Sequence, residues 1–382
     1  MEHSLRIGID ARAAEEATDG IGRYARELLR AFSVRDDGAQ FFVLKGSERG
    51  ASYAFDSRFT EIIVPAERFG LREQWVLPRL LARLRLDLFH SMHAALPLGY
   101  RGVQVMTVHD IFPILIPWSF GRNGLKNSAA AAYYAALVRL SLRRASLTIV
   151  DSEHTGKDLG ARFRCDMRRV RRIYLGIDHI RSAPGEGDPG ALERYGIRRP
   201  YLITVTNFKP HKNTGRVIEA FRIVRETMPE MTLAVVGNDP RGFAKGLGRP
   251  GQLEAENVRL LGYVGDGSLM TLLTSAEVFV FPSLYEGFGF PVLEAMARGT
   301  PVVTSAVTSI PEVGGDAVIY SDPDDPRSIA DAILTVCADG GYREDLRRRG
   351  LNQAGKFRWQ DAAAQTFGVY REAMQIARGS VE

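Results

Sequence analysis

The sequence predicts an α/β protein with two doubly wound parallel sheets, each in its own domain. Short apolar runs rich in β-branched and aromatic residues alternate with helical segments along the 382-residue chain, the pattern of a parallel sheet covered by helices. The length suits two domains of ordinary size. Residues 181–190 contain two prolines and three glycines in a polar setting, the composition of a linker. We therefore predict an N-terminal domain over 1–182, a linker over 183–198, a C-terminal domain over 199–357 and a terminal helical segment over 358–382.

Composition limits the classes of protein that this chain can be. Apolar residues make up 45% of the chain and charged residues 25%, as in a soluble globular protein. We see no apolar run near the roughly 20 residues that span a bilayer and no signal peptide, so a cytoplasmic protein is expected. Cys165 and Cys337 are too few for a disulfide framework. No grouping of His, Asp and Glu has metal-site spacing, so neither a metal nor another cofactor is expected.

The net charge of +5 belongs to the first half of the chain. Residues 1–180 hold 27 Lys and Arg against 20 Asp and Glu, whereas the remainder holds 23 against 25. Such a basic surface suits anionic lipid headgroups, nucleic acid or an anionic substrate, or it is simply solvated. Arginines form the densest clusters, at Arg139, Arg143, Arg144, Arg162, Arg164, Arg168, Arg169, Arg171 and Arg172.

In the N-terminal domain, two strand ends carry residues suited to ligand binding. The strand Arg6–Asp10 leads through a loop with Gly22 into an amphipathic helix, and free N–H groups at such a helix start can hold a phosphate. Glycines there also serve as ordinary turn residues. The strand Val103–Val108 runs into His109, at the edge where open α/β sheets bind ligands. Other strands are predicted at 40–44, 61–64, 87–90, 147–151 and 170–174, and a long helix at 126–144.

Two neighbouring stretches have weaker signals. His90 ends the strand predicted at 87–90, and His93 lies in the loop after it; both are candidates to line the same mouth as His109. Ser152 or Thr155 is expected to cap a helix, because a hydroxyl at that point accepts from the free N–H groups of the first turn.

The C-terminal domain opens with the strand Tyr201–Val205 and a turn that carries Lys209 and Lys212, before a helix over 214–226. Two lysines at a strand-to-helix turn make a cationic cup for a nucleotide diphosphate, although exposed lysines are also common in loops. The next two strands end at Gly237-Asn238 and at Gly262-Tyr263-Val264. Later strands are predicted at 302–305 and 317–320, and helices at 268–276, 325–338, 342–356 and 359–377.

The most informative stretch is VFVFPSLYEGFGFPVLEAMARG, residues 278–299. Its first four residues suit a strand buried on both faces, Pro291 suits a helix start and Gly299 a helix stop. Glu286 then lies in a strand-to-helix loop and Glu294 in the first turns of the helix. Glycines allow backbone to approach a ligand closely, which is expected at Gly287, Phe288 and Gly289.

The segment EGFGFPVLEAMARGTPVV resembles the signature of family 4 retaining glycosyltransferases, in which two Rossmann-like domains of the GT-B fold face a central cleft. The segment VHDIFP around His109 is similar to the histidine motif of the family's N-terminal domain. The resemblance covers nearly the whole C-terminal domain and, more loosely, the N-terminal one. Where relatives have a glycine and a basic residue, this chain has Thr206 and Asn207, or in another alignment His211 stands in place of an arginine.

The resemblance implies transfer of a sugar from a nucleoside diphosphate sugar to an acceptor hydroxyl, with retention of configuration and without a metal. It assigns Glu286 and His109 to the donor sugar, Lys212 and Lys209 to the diphosphate, and Glu294 to the ribose. It places the nucleobase against the backbone of the loop with Tyr263 and Val264, and the terminal helix back across the first domain. The complete donor-binding set is Lys209, Lys212, Gly287, Phe288, Gly289, Glu294, Tyr263, Val264, Asn238 and Gly22. No residue is assigned to the acceptor.

Bacterial surface-polysaccharide transferases, many of which use GDP-mannose, are the members that the chain resembles most. We therefore expect mannose transfer to a saccharide or lipid-linked saccharide, by an enzyme docked on the anionic inner face of the cell membrane. One alternative is a sugar-nucleotide epimerase on the same scaffold, against which the EGFGFPVLE motif argues. The other is a nucleic-acid-binding protein, which would explain the sequence pI of about 9.2 but lacks a recognisable nucleic-acid module.

Overall fold

The computed structural model describes residues 4–12, 20–48, 52–115, 124–181, 187–238 and 250–379, which form two compact units. The first unit comprises residues 1–176 and 358–382, and the second comprises residues 177–357. In both units the described strands pair only in parallel. The predicted fold class is therefore confirmed.

The first unit contains a sheet in the order β3-β2-β1-β4-β5-β6-β7. Its strands are β1 Leu5–Asp10, β2 Ala39–Lys45, β3 Phe59–Ile63, β4 Leu88–Ser91, β5 Val103–Val108, β6 Leu147–Val150 and β7 Val170–Arg172. Its helices are α1 Gly20–Ser33, α2 Glu73–Leu84, α3 Phe112–Leu115, α4 Gly124–Arg144 and α5 Glu153–Phe163, together with the C-terminal helix Trp359–Gly379. That terminal helix packs on α1 and on the strands β5 and β6 of this unit.

The second unit contains a sheet in the order β10-β9-β8-β11-β12-β13. Its strands are β8 Tyr201–Val205, β9 Thr232–Val236, β10 Val258–Gly262, β11 Val278–Phe281, β12 Val302–Ser305 and β13 Ile319–Ser321. Its helices are α6 Asp178–Arg181, α7 Ala191–Arg194, α8 Thr214–Thr227, α9 Pro250–Ala255, α10 Asp266–Ser275, α11 Phe290–Ala297, α12 Ile310–Gly314, α13 Pro326–Ala338 and α14 Gly340–Ala354.

Strand order reverses once in each sheet, between β1 and β4 and between β8 and β11. At such a point, the two adjacent strands are followed by loops that run to opposite faces of the sheet. The crevice between these loops is where open α/β sheets bind ligands. The second sheet packs against an apolar core, with Phe221, Val280 and Ile333 among its fully buried side chains. Apolar packing thus fixes the strands, and the loops at their carboxyl ends are the segments available to bind ligands.

The chain passes from the first unit to the second between residues 176 and 177, before the predicted linker at 183–198. Helix α6 packs against α11, and α7 packs against α10, so the chain on both sides of residues 182–186 belongs to the second unit. Residues 182–186 lie outside the described residues. The predicted linker therefore lies within the second unit and includes the short helix α7.

None of the described helices has both the length and the apolar character needed to cross a membrane.

Candidate active site

In the second unit, Glu286 is held at the carboxyl end of β11. Its side chain is 10% exposed, Lys212 Nζ donates to its Oε1 over 2.7 Å, and Ser283 Oγ lies 2.6 Å from the same oxygen. The Glu286 N–H donates to Thr308 Oγ1 over 3.0 Å, and its carbonyl accepts from Ser309 Oγ at 2.9 Å. Backbone and carboxylate are therefore both fixed before any ligand arrives.

Lys212 reaches Glu286 because β8 and β11 are neighbours in the sheet. Its side chain is 14% exposed, and its Nζ lies 5.0 Å from the centroid of the Phe281 ring. The two loops are also joined through their backbones, since the Leu284 N–H donates to the His211 carbonyl over 2.7 Å. Asn213, at φ 57°, donates from its side chain to the Pro282 carbonyl over 3.0 Å. The Lys212–Glu286 ion pair thus spans the point where the strand order reverses.

The cationic character of this turn comes from its lysines. Lys209 is exposed, and its N–H donates to Asn207 Oδ1 over 3.2 Å. Burial, followed by the charges of Lys212 and Lys209, lowers the pKa of His211 to about 3. His211 is therefore neutral near pH 7 and does not replace the charge of an arginine.

The loop before α11 brings backbone rather than aromatic surface to this edge. Gly289 has φ 112°, and a Cβ there would lie 3.0 Å from Val313 Cγ2. The Phe288 side chain is buried and packs edge-on against Phe290 and Phe357. The Phe288 ring is therefore packed inside this unit rather than exposed at this edge. The predicted Gly287 lies between Glu286 and Phe288 in the same loop.

Glu294 lies on α11 with its side chain largely buried, at 6% exposure. This position in the first turns of the helix matches the expectation from the sequence.

Three adjoining loops follow β8, β9 and β10. A Cβ on Gly237 would lie 2.5 Å from the Thr206 carbonyl oxygen and 2.8 Å from the Phe208 ring, so only glycine fits. The Gly237 N–H donates to the Gly262 carbonyl over 3.0 Å. Beyond these contacts, Asn238 is exposed, Tyr263 is 62% exposed and Val264 is buried. Of the predicted base-loop residues, Tyr263 therefore has an exposed side chain and Val264 a buried one.

In the first unit, His109 follows β5 and is bonded through both ring nitrogens. Its Nδ1 lies 2.5 Å from Asp151 Oδ2 and its Nε2 lies 3.1 Å from the Met92 carbonyl oxygen. Burial alone would lower the pKa of His109, but the charge and hydrogen bond of Asp151, with smaller contributions from Met92 and Asp110, raise it. Sequence reasoning missed Asp151, although it follows β6 just as His109 follows β5. Ser152 caps α5 as predicted, accepting from the Thr155 N–H at 3.0 Å.

Gly22 lies in the first turn of α1 and is buried, because the helix begins at Gly20 rather than after the glycines. Residues 13–19, which include most of the predicted loop, lie outside the described residues. No ligand contact is assigned to Gly22 from this position.

His90 does not line a mouth, contrary to expectation. It is fully buried on β4, with Tyr370 Oη 2.7 Å from its Nδ1 and Thr107 Oγ1 2.9 Å from its Nε2. Burial, followed by the charges of His109 and His93, lowers its pKa to about 3. It is a neutral core histidine, because its strand position faces the C-terminal helix.

His93 belongs to a buried charge cluster with Asp10, Arg12 and Glu73. Arg12 Nη2 lies 2.6 Å from Asp10 Oδ2 and also bonds Glu73, and His93 Nε2 lies 3.3 Å from Asp10 Oδ2. Within the described residues, the acids and His93 are the one group close enough to one another to hold a metal ion. The Arg12 guanidinium lies among them and supplies the positive charge, so the donor set does not fit a metal as it stands.

Comparison with known proteins agrees with this picture. The model described as "Glycosyltransferase Family 4" matches residues 18–181, and that described as "Glycosyl transferases group 1" matches residues 194–353. An "O-antigen chain mannosyltransferase B" of Escherichia coli is 30% identical over 380 residues, covering 92% of this chain and 96% of its own. An "MMP alpha-(1->4)-mannosyltransferase" of Mycolicibacterium hassiacum is 30% identical over 230 residues, covering 58% of this chain and 53% of its own.

Solved structures share the fold at low sequence identity. A sucrose-phosphate synthase from Thermosynechococcus elongatus superposes with a TM-score of 0.75 at 20% identity, covering 96% of this chain and 98% of its own. WaaG, titled as a glycosyltransferase of lipopolysaccharide biosynthesis, superposes with a TM-score of 0.70 at 18% identity, covering 95% and 98%. With two matching family models and a full-length relative, this chain belongs to glycosyltransferase family 4 and is a glycosyltransferase of the GT-B fold.

Proposed function

We propose that this glycosyltransferase moves mannose from GDP-mannose to a hydroxyl of a saccharide or lipid-linked saccharide in bacterial polysaccharide synthesis, with retention of configuration. The Lys212–Glu286 pair at the crossover of the second sheet carries the proposal of a nucleotide-sugar donor. The name of the full-length E. coli relative supports mannose and an O-antigen type of acceptor.

The leaving group sets the main chemical demand. When the glycosidic bond to phosphate breaks, negative charge grows on the diphosphate, and preorganised donors at that place lower the barrier. Lys212, with exposed Lys209 beside it, supplies cationic donors, and the backbone N–H groups of residues 287–289 supply neutral ones. These groups can meet the demand without a metal, and both acids of the cluster around Arg12 are already bonded to its guanidinium.

The carboxylates bind hydroxyls. Glu286, fixed by Ser283 and Thr308, is assigned to the hydroxyls of the donor sugar, and Glu294 to the ribose diol. His109 is assigned to the transferred sugar. Glu286 already accepts from Lys212, so we assign it to orientation and not to covalent attack. Front-face attack needs no enzyme nucleophile, whereas double displacement would require a nucleophile other than Glu286.

For a lipid-linked acceptor, we propose docking on anionic lipid through the exposed face of α2 and its leading turn. Leu71 and Trp75 are 73% and 67% exposed, and the Arg79 guanidinium lies 5.5 Å from the Trp75 ring centroid. Arg72 and Arg83 are exposed beside them, and no acidic residue of 71–83 is exposed. Apolar anchors flanked by arginines suit the interface of an anionic membrane.

The arginine cluster at 162–172 is a weaker candidate than its density suggests. Arg168 pairs with Asp166, Arg171 with Glu372 and Arg172 with Glu153. These partners cancel much of the local charge.

Co-sedimentation with anionic and neutral vesicles at low salt tests the α2 surface. Equal binding to both kinds of vesicle, or no loss of binding in a Trp75→Ser, Leu71→Ser variant, refutes the membrane proposal.

Thermal melting with GDP, UDP, ADP and dTDP, each with and without magnesium, tests the donor. A ligand at 100 times its dissociation constant adds about 2.7 kcal/mol to stability. We expect GDP to raise the melting temperature most, equally with and without metal, and GDP-mannose to yield an α-linked product by NMR. Stabilisation by another nucleotide refutes the choice of base, and stabilisation by none refutes the donor site.

A further inference from the structure

The bonding of His109 specifies its protonation. The Met92 carbonyl oxygen, 3.1 Å from Nε2, can only accept, so Nε2 carries a hydrogen. Asp151 Oδ2 lies 2.5 Å from Nδ1 and, as a carboxylate, also only accepts. A neutral imidazole has one N–H and cannot satisfy both. The pair therefore holds one proton more than a neutral histidine beside a carboxylate.

We propose that Asp151 is a positioning residue for the transfer reaction: by binding Nδ1–H it keeps His109 doubly protonated, so that Nε2–H can exchange the Met92 carbonyl for an oxygen of the bound sugar. This inference rests on the role proposed above for His109. No bond breaks in the exchange except hydrogen bonds, and the charge of the imidazolium stays beside the sugar while the diphosphate leaves.

The contacts of Asp151 fit a role in binding His109 better than a role in stabilising the core. Its side chain is 2% exposed, and its Oδ1 is buried without a hydrogen-bond partner among the described residues. A buried carboxylate oxygen left unpaired costs stability. With one oxygen bonded to His109 and the other unsatisfied, Asp151 contributes a directed charge at a cost to folding. The His109 side chain is 13% exposed, so part of it reaches the surface.

The groups that face His109 from each packed element agree with a charged ring. Asp151 follows β6, Asp110 follows His109 itself, Tyr24 of α1 lies edge-on with ring centroids 4.8 Å apart, and His90 of β4 is close. The two aspartates raise the pKa of His109. The pKa of His90 is lowered to about 3, in part by His109, so no second imidazolium competes.

Asp151→Asn provides the test, because an amide can donate to Nδ1 while Nε2–H still reaches Met92. The ring then keeps its place and loses its charge. We expect the His109 pKa, read from its Cε1–H resonance by NMR, to fall, because the ring loses a close opposite charge. The alkaline limb of kcat/KM should move to lower pH by the same amount. In a His109→Ala background, adding Asp151→Asn should change kcat/KM less than twofold.

Asp158→Asn is the matched control, since Asp158 pairs with His154 at 3.4 Å on α5. It removes a carboxylate from a histidine outside the site, so the pH profile should stay that of the unmodified enzyme. The inference is overturned if Asp151→Asn leaves the His109 titration or the alkaline limb unmoved. It is also overturned if the losses of kcat/KM caused by Asp151→Asn and His109→Ala multiply in the double variant. The titration needs no donor: an enzyme that transfers no sugar while the titration still moves refutes the proposed function and the catalytic role of the pair, but leaves the pairing itself intact.

Discussion

Lys212 Nζ lies 2.7 Å from Glu286 Oε1, and the two side chains are 14% and 10% exposed. The pair joins the ends of β8 and β11, on either side of the crossover in the second sheet. An ammonium at this depth needs an anion beside it. Glu286 supplies this anion. Under the proposed donor assignment, the diphosphate would compete for the same ammonium, and the carboxylate would be released toward the sugar as the phosphates bind.

This relationship separates the effects of its two members. Lys212→Ala should weaken nucleoside diphosphate binding by about 10–100-fold, because a charge-assisted hydrogen bond contributes about 1.5–3 kcal/mol. Glu286→Gln should leave that affinity unchanged or increase it, since Lys212 loses its competitor, while kcat falls by about 100-fold. Isothermal titration with the nucleotide and initial rates of transfer measure the two quantities.

Arg216→Ala is the control for charge alone, because Arg216 pairs with Asp324 at 3.3 Å on α8, 40% exposed. It should change neither quantity by more than about twofold. Equal weakening of nucleotide binding by Lys212→Ala and Glu286→Gln would contradict the competition between carboxylate and diphosphate.

Gly237 should tolerate no side chain. An alanine Cβ would lie 2.5 Å from the Thr206 carbonyl oxygen, so the turn leading to Lys209 and Lys212 must shift. We expect Gly237→Ala to lower stability by about 1–3 kcal/mol, as for an overpacked site, and to weaken nucleotide binding. Gly215→Ala is the control: a Cβ there meets nothing within 4 Å on helix α8, and stability should rise by about 0.5–1 kcal/mol. Thermal melting of both variants decides, and equal melting temperatures would contradict the steric argument.

The sequence predicted what depends on local chemistry. Strand ends, the helix stop at Gly299 and the loop that carries Glu286 are all readable from turn residues and apolar runs, and Gly299 has the expected positive φ of 71°. Strand order is not local, so the pairing of Lys212 with Glu286 across 74 positions could not be derived. For the same reason His90 was misplaced: its partner Tyr370 is 280 positions away. Asp151 was within reach, because adjacent parallel strands end side by side.

Removing Arg12 should cost more than removing its partners. Arg12 bridges Asp10 and Glu73, all of them buried, and the Arg12 charge is the main attraction that, against desolvation, holds the pKa of Asp10 well below its usual range. Arg12→Met removes the arginine charge from two buried carboxylates, with an expected loss of about 3–5 kcal/mol of unfolding free energy. A triple Asp10→Asn, Arg12→Met, Glu73→Gln variant should recover part of that loss.

The same cluster predicts the response to metal. Since the Arg12 guanidinium already bonds both acids, zinc or magnesium should not raise the melting temperature of the unmodified enzyme, and EDTA should not reduce its transfer rate. Only the Arg12→Met variant, with its acids and His93 exposed to one another, should gain stability from zinc. Stabilisation of the unmodified enzyme by either metal would contradict Arg12 as the resident cation.

The buried His90 should make stability fall with acid. Its folded-state pKa of about 3 lies below the ordinary value of 6.5, so between these values the unfolded chain binds a proton that the folded protein does not. Unfolding free energy therefore rises with pH across this window. The stability contributed by neutral His90 is fully present above pH 6.5 and is lost as pH falls toward 3, by about 1.4 kcal/mol per pH unit. Denaturant unfolding of the enzyme between pH 7 and pH 5 measures this slope.

Two variants isolate the histidine from its hydrogen bonds. His90→Asn should be less stable at pH 7, because Tyr370 and Thr107 lose a partner, but its stability should depend less on pH below 6.5. Thr107→Val removes the bond to Nε2 and leaves the ring in place, so it should be less stable at pH 7 and keep the full slope. Because only His90→Asn removes the titrating group, a slope retained in that variant would assign the acid sensitivity to other residues.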